Sequence, residues 1–346
     1  MTLRSMGLPD TQQLEARMTS INHMLDSENF FARAIYLQLI DFRRILRDVA
    51  EHFPKAKLIF NANAINISSN RGSVSHLDVI SFDDDGHRSC ERRVRAAVFV
   101  LCAGTLENTR LLLHSDLAND LPALGHFFNE HPYVWNAGKL SARAKSSVAQ
   151  MLLKAHPVSS KGSVIPSLTP KASIGPTAIR PNFRAVLGGI GDEPGILNLS
   201  WEMLPKRSNY VSLDRSGQKD RSGLYPLTVT CDFEEDDWAH LDVNVRQLME
   251  FLTSYFTIDS HWKNGVQNAR MSYRFAPGNH PAGTTRMATN SEGGVTDGSC
   301  RVFGTDNLFL TGAGLFHRSG FANPTLTICA LARRAAAHIS GNWGAR

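Results

Sequence analysis

Three stretches predict a mixed α/β fold. Residues 96–101 are a continuous apolar run, broken by Gly104 and followed by a short helical pattern over 107–114, which is the strand–turn–helix order of an α/β layer. Asn307-Leu308-Phe309-Leu310-Thr311 opens a second crossing: a buried-strand run, then Gly312-Ala313-Gly314, then a helix from Pro324. Between them, residues 125–275 alternate strand-like segments with Gly-, Pro- and Ser-rich turns, so a separate sheet is expected as an insertion between two halves of one layer.

The elements follow in order. Residues 1–54 are polar at first and then read as a helical lead-in, one helix over 31–53 with Ile35, Leu37, Ile40, Ile45, Leu46 and Val49 on a broad apolar face. Residues 57–60, 64–67 and 77–82 are short β-type segments separated by Ser/Asn/Gly and Asp/Gly turns, a small meander. Residues 161–194, rich in Ser, Pro and Gly, read as loop. Strands are expected over 196–205, 210–213 and 225–233. A long amphipathic helix follows over 234–258, with Trp238, Leu241, Val245, Leu248, Met249 and Leu252 inward. The domain boundaries expected are 1–54, 55–125, 126–294 and 295–346.

Composition excludes several classes. With 346 residues, 42% hydrophobic and 20% charged, the chain is ordinary for a globular protein with one large or two modest cores. The net charge of +5 is spread without a basic stripe interleaved with aromatics, which argues against nucleic-acid binding. No apolar run approaches the roughly 20 residues of a membrane helix, and no charged-then-apolar leader opens the chain, so a cytoplasmic protein is expected. Cys90, Cys102, Cys231, Cys300 and Cys329 are odd in number and show no Cys-x-x-Cys spacing, which argues against a disulfide framework or a metal site.

Two side chains stand out as chemical. His280 lies in Asn279-His280-Pro281-Ala282-Gly283-Thr284-Thr285, and Asn323 lies in Phe321-Ala322-Asn323-Pro324-Thr325. Asparagine followed by proline is a favoured helix start, so Asn323 reads as the N-cap of a helix whose Leu326, Ala330, Leu331, Ala335 and Ile339 form a buried face. Its free N–H groups would suit a partner that becomes anionic. Gly312-Ala313-Gly314 is not a dinucleotide loop, because His317 stands at the third glycine's place and the helix opens only at Pro324. The glycines instead allow a flat ligand to lie close to the backbone. His131, in Glu130-His131-Pro132, reads as structural, and His317 as surface or packing.

Together with Gly293-Gly294-Val295-Thr296-Asp297 and Arg301-Val302-Phe303-Gly304, these two segments resemble the C-terminal signature of glucose-methanol-choline (GMC) oxidoreductases. Residues 98–113 resemble that family's strand–glycine–helix crossing beside the flavin, and residues 124–132 its lead into the substrate domain. Asn rather than a second His in the active-site pair is similar to the pyranose oxidase-like bacterial branch. The resemblance implies a partial FAD-binding α/β layer interleaved with an antiparallel substrate sheet backed by helices. It further implies oxidation of an alcohol or sugar CH–OH group by hydride transfer to FAD, with His280 as base and Asn323 orienting the hydroxyl. An imidazole, with an ordinary pKa near 6.5, is largely neutral at neutral pH and fits that task. By position in the resemblance, Gly104, Asn108, Gly312, Ala313, Asn323, Pro324 and Thr325 would face the flavin ring and Ala64 the adenine end.

No Gly-x-Gly-x-x-Gly follows a strand and opens a helix anywhere in the 346 residues, so the phosphate-loop portion of the resembling family is expected to be missing, to be supplied by upstream sequence or by a partner chain. Two other classes are compatible with this: a catalytically silent binding remnant, and a subunit that completes its flavin site with a second chain. Equilibrium dialysis of the isolated chain is therefore expected to show weak or no FAD binding, and tight binding would refute the expectation.

Overall fold

The computed structural model describes residues 19–23, 25, 30–38, 42–144, 146–153, 156–159, 162–170, 183–187, 195–266, 276–320 and 322–343. The chain folds as two compact units, each assembled from three segments: residues 1–56, 132–202 and 233–277 in the first, and 57–131, 203–232 and 278–346 in the second.

The first unit is built on an antiparallel sheet in which Phe30–Gln38, Gly162–Pro170, Phe183–Leu187, Ile196–Trp201, Pro132–Ala142 and Phe256–Asp259 lie side by side. Its core combines Phe30, Leu168, Leu197 and Phe256 with Leu241, Val245, Leu248 and Leu252 of the helix Glu235–Thr253. That helix starts where its sequence favours a start. Glu234 and Asp237 form a reciprocal capping box, with the Glu234 N–H donating to Asp237 Oδ2 at 2.9 Å, and three acidic residues fill the first turn.

Several expectations are corrected here. The predicted helix over 31–53 is instead the strand Phe30–Gln38, paired residue for residue with Gly162–Pro170, and then the helix Phe42–His52. A run rich in aromatic and β-branched residues followed the pairing open to it, against a helical period that was equally readable. Residues 161–194 are not simply loop, since two strands lie within them; residues 171–182 and 188–194 fall outside the described ones. The helix expected to reach 258 stops at Thr253. Phe256, Thr257, Ile258 and Asp259 then alternate buried and exposed, a strand period too short to separate from the helix by sequence.

The second unit holds a three-stranded meander of Ala62–Asn70, Ser73–Phe82 and Arg88–Val94; the last of these was not expected, and residues 57–60 form no strand. Its first turn needs two residues, Arg71 and Gly72, both at positive φ (50° and 83°), which matches the twist of a two-residue hairpin. Beside it, Phe99–Leu101 and Leu308–Leu310 pair in parallel, Val100 opposite Phe309, so the two crossings read from the sequence do share one layer. Buried Asn307 fastens that pair to the meander. Its side chain accepts from the Val74 N–H at 2.8 Å and donates to the carbonyls of Val74 (3.0 Å) and Ala97 (3.2 Å). The strands 210–213 and 227–230 form a hairpin that belongs to this unit. The last helix is Thr325–Trp343, and its predicted apolar face is corrected: Ala335 is buried and Ile328 and Leu331 are partly so, but Leu326 is 64% exposed and Ala330 is exposed. A stripe in the sequence marks which face is apolar, not how much of it finds a neighbour. Among the described residues no helix is long and apolar enough to cross a membrane.

Candidate active site

His280 and the residues shown to bond its segment, Glu130, His131, Asn129 and Thr105, lie in the second unit. Asn129 and Ala282 exchange backbone hydrogen bonds (3.1 and 2.9 Å) as an isolated antiparallel bridge. In that register residue 131 falls opposite residue 280, and the two imidazoles meet there, Nδ1 to Nδ1 at 3.0 Å, edge-on with a 76° interplanar angle. Glu130 holds both strands of the bridge from one side. Its Oε1 accepts the backbone N–H of His131 at 2.7 Å and of His280 at 2.8 Å. His131 is fully buried and Glu130 is 7% exposed, whereas His280 is half-buried and so the reachable member of the pair.

Each segment is turned into place by a left-handed residue. Asn279, directly before His280, has φ 58°, a conformation asparagine tolerates well. Phe127, ahead of Glu130 and His131, has φ 62°, which a bulky residue rarely adopts; the Arg286 guanidinium, 3.3 Å from its ring centroid, covers it.

Burial raises the Glu130 carboxyl above its ordinary value, with the two donated N–H groups working against that shift. A folded state that holds this proton more tightly than the unfolded chain loses stability as pH rises from the ordinary glutamate value to the raised one, and the loss is constant above it. Glu130→Gln keeps an acceptor for both N–H groups and removes the cost of burying a charge, so it should stay within about 1 kcal/mol of the parent at neutral pH. Glu130→Ala leaves two donors without their acceptor and should cost about 2–4 kcal/mol by chemical denaturation. Equal losses in the two variants would contradict the clamp.

The His280 segment is also laced to both glycine turns. Thr105, the first residue of the helix Thr105–Leu113, donates its hydroxyl to the Pro281 carbonyl at 2.6 Å. The Gly283 and Thr285 N–H groups donate to the carbonyls of Ala313 (3.4 Å) and Gly314 (3.0 Å), and the hydroxyls of Thr109 and Thr284 meet at 2.7 Å. The turns themselves leave room for a ligand. Gly104 and Gly312 sit at the carboxyl ends of the parallel strands with φ of 87° and 118°; a Cβ on Gly104 would meet nothing within 4 Å, and one on Gly312 only the Gly104 Cα at 3.9 Å. Carboxyl ends of parallel strands are where α/β layers receive cofactors, and two facing positions without side chains make a flat, open cradle suited to an aromatic ring.

The other expected site residues are distributed as follows. Ala313 is buried in a small cluster with Ala282 and Phe316, on which Ile328 and Leu331 of the last helix pack, so the head of that helix is anchored beside the His280 segment. Asn323 is exposed and Pro324 buried; the first helical bond runs from the Ile328 N–H to the Pro324 carbonyl at 2.9 Å. Pro324 therefore takes the cap position expected of Asn323, a shift of one residue, and exposed Thr325 is the first helical residue. Phe321 is outside the described residues. Asn108 is 2% exposed, and its side chain accepts from the Ala103 N–H (3.0 Å) and donates to the carbonyls of Leu101 (3.4 Å) and Thr311 (3.0 Å). It clamps the two glycine turns together rather than presenting its amide to a ligand. Ala64 is half-buried in its strand and packs against the core of the unit. Glu130 and His131 are what residue reasoning undervalued; their adjacency before a proline was the visible signal, but the cross-chain register that gives it meaning is not local.

Residues 205–332 match the GMC oxidoreductase family, a span that contains His280, both glycines of the second turn and Asn323. The chain is 34% identical over 139 residues to 2-methyl-1,2-propanediol dehydrogenase of Mycolicibacterium austroafricanum, covering 40% of this chain and 24% of that protein. It is 26% identical over 314 residues to the fructose dehydrogenase large subunit of Gluconobacter japonicus, covering 81% of this chain and 53% of that one. Among solved structures it is similar to pyridoxine 4-oxidase from Mesorbium loti (19% identity, TM-score 0.55, covering 80% of this chain and 57% of that one). It is also similar to formate oxidase from Aspergillus oryzae (14% identity, TM-score 0.59, 82% and 60%). The chain thus spans between 24% and 60% of the length of these relatives. The likeness to the GMC oxidoreductases at the level of the family rests on residues 205–332, the part that holds His280 and Asn323.

Proposed function

We propose that the protein containing this chain is an FAD-dependent oxidoreductase acting on the CH–OH group of an alcohol or sugar, with His280 as general base. The observation that carries the reading is the lacing of the His280 segment to two side-chain-free turns, Gly104 and Gly312, at the ends of the parallel strands. The family relatives support the chemistry: two are named dehydrogenases of a diol and of fructose, and the Aspergillus oryzae formate oxidase has an FAD.

FAD, when bound, supplies the hydride acceptor. The chain's residues do the rest. Loss of hydride from a carbinol carbon needs loss of the hydroxyl proton, and half-buried His280 takes it. Asn323 donates its amide N–H to the same oxygen and fixes its orientation. Gly104, Gly312 and Ala313 form the face against the ring, while Pro324 sets the start of the last helix, whose free N–H groups from Thr325 onward favour an anionic partner. Ala64 lies toward the adenine end, and Asn108 acts through the turns it holds. The phosphate-binding loop comes from further sequence or from a partner chain, and a cytoplasmic location is part of the same proposal.

Asn323→Ala tests the division of labour. Because Asn323 is exposed and one residue outside the cap, thermal stability should change little, by less than about 0.5 kcal/mol. Reduction of the bound flavin by alcohol should slow about 10- to 100-fold. An unchanged reduction rate would remove Asn323 from the site, and a flavin that no alcohol or sugar reduces in the parent would remove the function.

A further inference from the structure

The mechanism above leaves the buried pair Glu130 and His131 without a role, although it forms the immediate surroundings of His280. We infer that His131 is a positioning residue that fixes the tautomer of His280, so that Nε2 is the basic nitrogen. The inference rests on the functional reading above and adds a residue to it. Two imidazole nitrogens at 3.0 Å share one proton: one ring donates and the other accepts. If His131 donated, His280 would accept at Nδ1 and carry its own proton on Nε2, leaving no lone pair on the side away from His131. If His280 donates, its Nε2 is free to take a proton.

Burial decides between these. A charge costs more on the fully buried His131 ring than on half-buried His280, so the arriving proton belongs on His280. With His131 neutral, its Nδ1 accepts from the His280 Nδ1–H both before and after His280 is protonated, and no rearrangement accompanies the transfer. In that transfer the substrate O–H bond breaks and an Nε2–H bond forms on His280. The Nδ1–H stays where it was, held to His131. Glu130 keeps the two rings in register by accepting both backbone N–H groups on one oxygen, so the ring pairing does not depend on side-chain packing alone. The arrangement serves His280 as a carboxylate serves the histidine of a hydrolytic triad, with a neutral acceptor in the carboxylate's place.

Long-range proton–nitrogen NMR of the imidazoles in the unmodified protein at pH 8 tests this without any substitution and without activity. The expected result is His280 protonated at Nδ1 and His131 protonated at Nε2; the reverse assignment overturns the inference. His131→Asn retains an acceptor oxygen and should keep the His280 tautomer and alcohol-dependent flavin reduction within about tenfold. His131→Leu, matched for folding by its thermal melt, should mix the tautomers and slow reduction about 10²-fold with little change in KM. If His131→Leu leaves both tautomer and rate unchanged, or if it changes KM alone, His131 is only structural. If the tautomers behave as stated but no alcohol or sugar reduces flavin in the parent, the pairing stands and the functional reading fails; the two are separable.

Discussion

His280→Ala should lower the rate of flavin reduction by about 10²- to 10⁴-fold, or roughly 3–5 kcal/mol of barrier, in the flavin-loaded protein. The fold should survive the change. Alanine keeps the backbone N–H that Glu130 accepts, and Thr105 bonds the Pro281 carbonyl, so the segment stays laced while only the imidazole is lost. Flavin content should therefore be retained, since the glycine turns are untouched. A histidine that served structure would give the opposite pattern, with stability lost and reduction by alcohol little altered in whatever protein still folds.

Gly283→Ala should be the most damaging small substitution near the site. Gly283 has φ 90°, and a Cβ there would overlap the Phe127 carbonyl oxygen and the Asn129 side-chain nitrogen. Neither neighbour can yield easily. The Phe127 carbonyl accepts from Asn129 Nδ2 at 2.9 Å, and Asn129 Oδ1 holds the Ser319 N–H at 3.1 Å. Left-handed strain and overpacking together should cost about 2–4 kcal/mol. Because Gly283 lies next to Ala282, whose bridge to Asn129 sets His131 opposite His280, reduction should also slow, in proportion to the register lost. Urea unfolding of the variant that matched the parent would contradict this packing.

The α/β layer was legible because each half states its plan locally. An apolar run ending in Gly104 or Gly312 has few alternatives, and both strands formed where the runs lie. The helix Glu235–Thr253 was legible for a similar reason, with an apolar period supported by a cap and an acidic first turn. The strand Phe30–Gln38 was not, because its partner lies more than a hundred residues away and its own residues satisfy a helical period equally well. Short strands such as Phe183–Leu187 were lost among turn-forming residues for lack of length. At the site, the sequence marked His280 and Asn323 by their motifs. It did not reveal the Glu130 clamp or the His131 pairing, since both follow from an antiparallel register between segments 149 residues apart. Nor did it distinguish a cap at Asn323 from one at Pro324, a matter of one residue at a helix end.

The central claim is that His280 accepts the hydroxyl proton. Stopped-flow reduction of the bound flavin by alcohol, in the parent and in His280→Ala across pH 5 to 9, tests it most directly. The account predicts a parent rate that rises with pH as the base loses its proton, and a variant that is slow with that pH dependence gone. A variant that keeps the parent's rate and pH profile would contradict it.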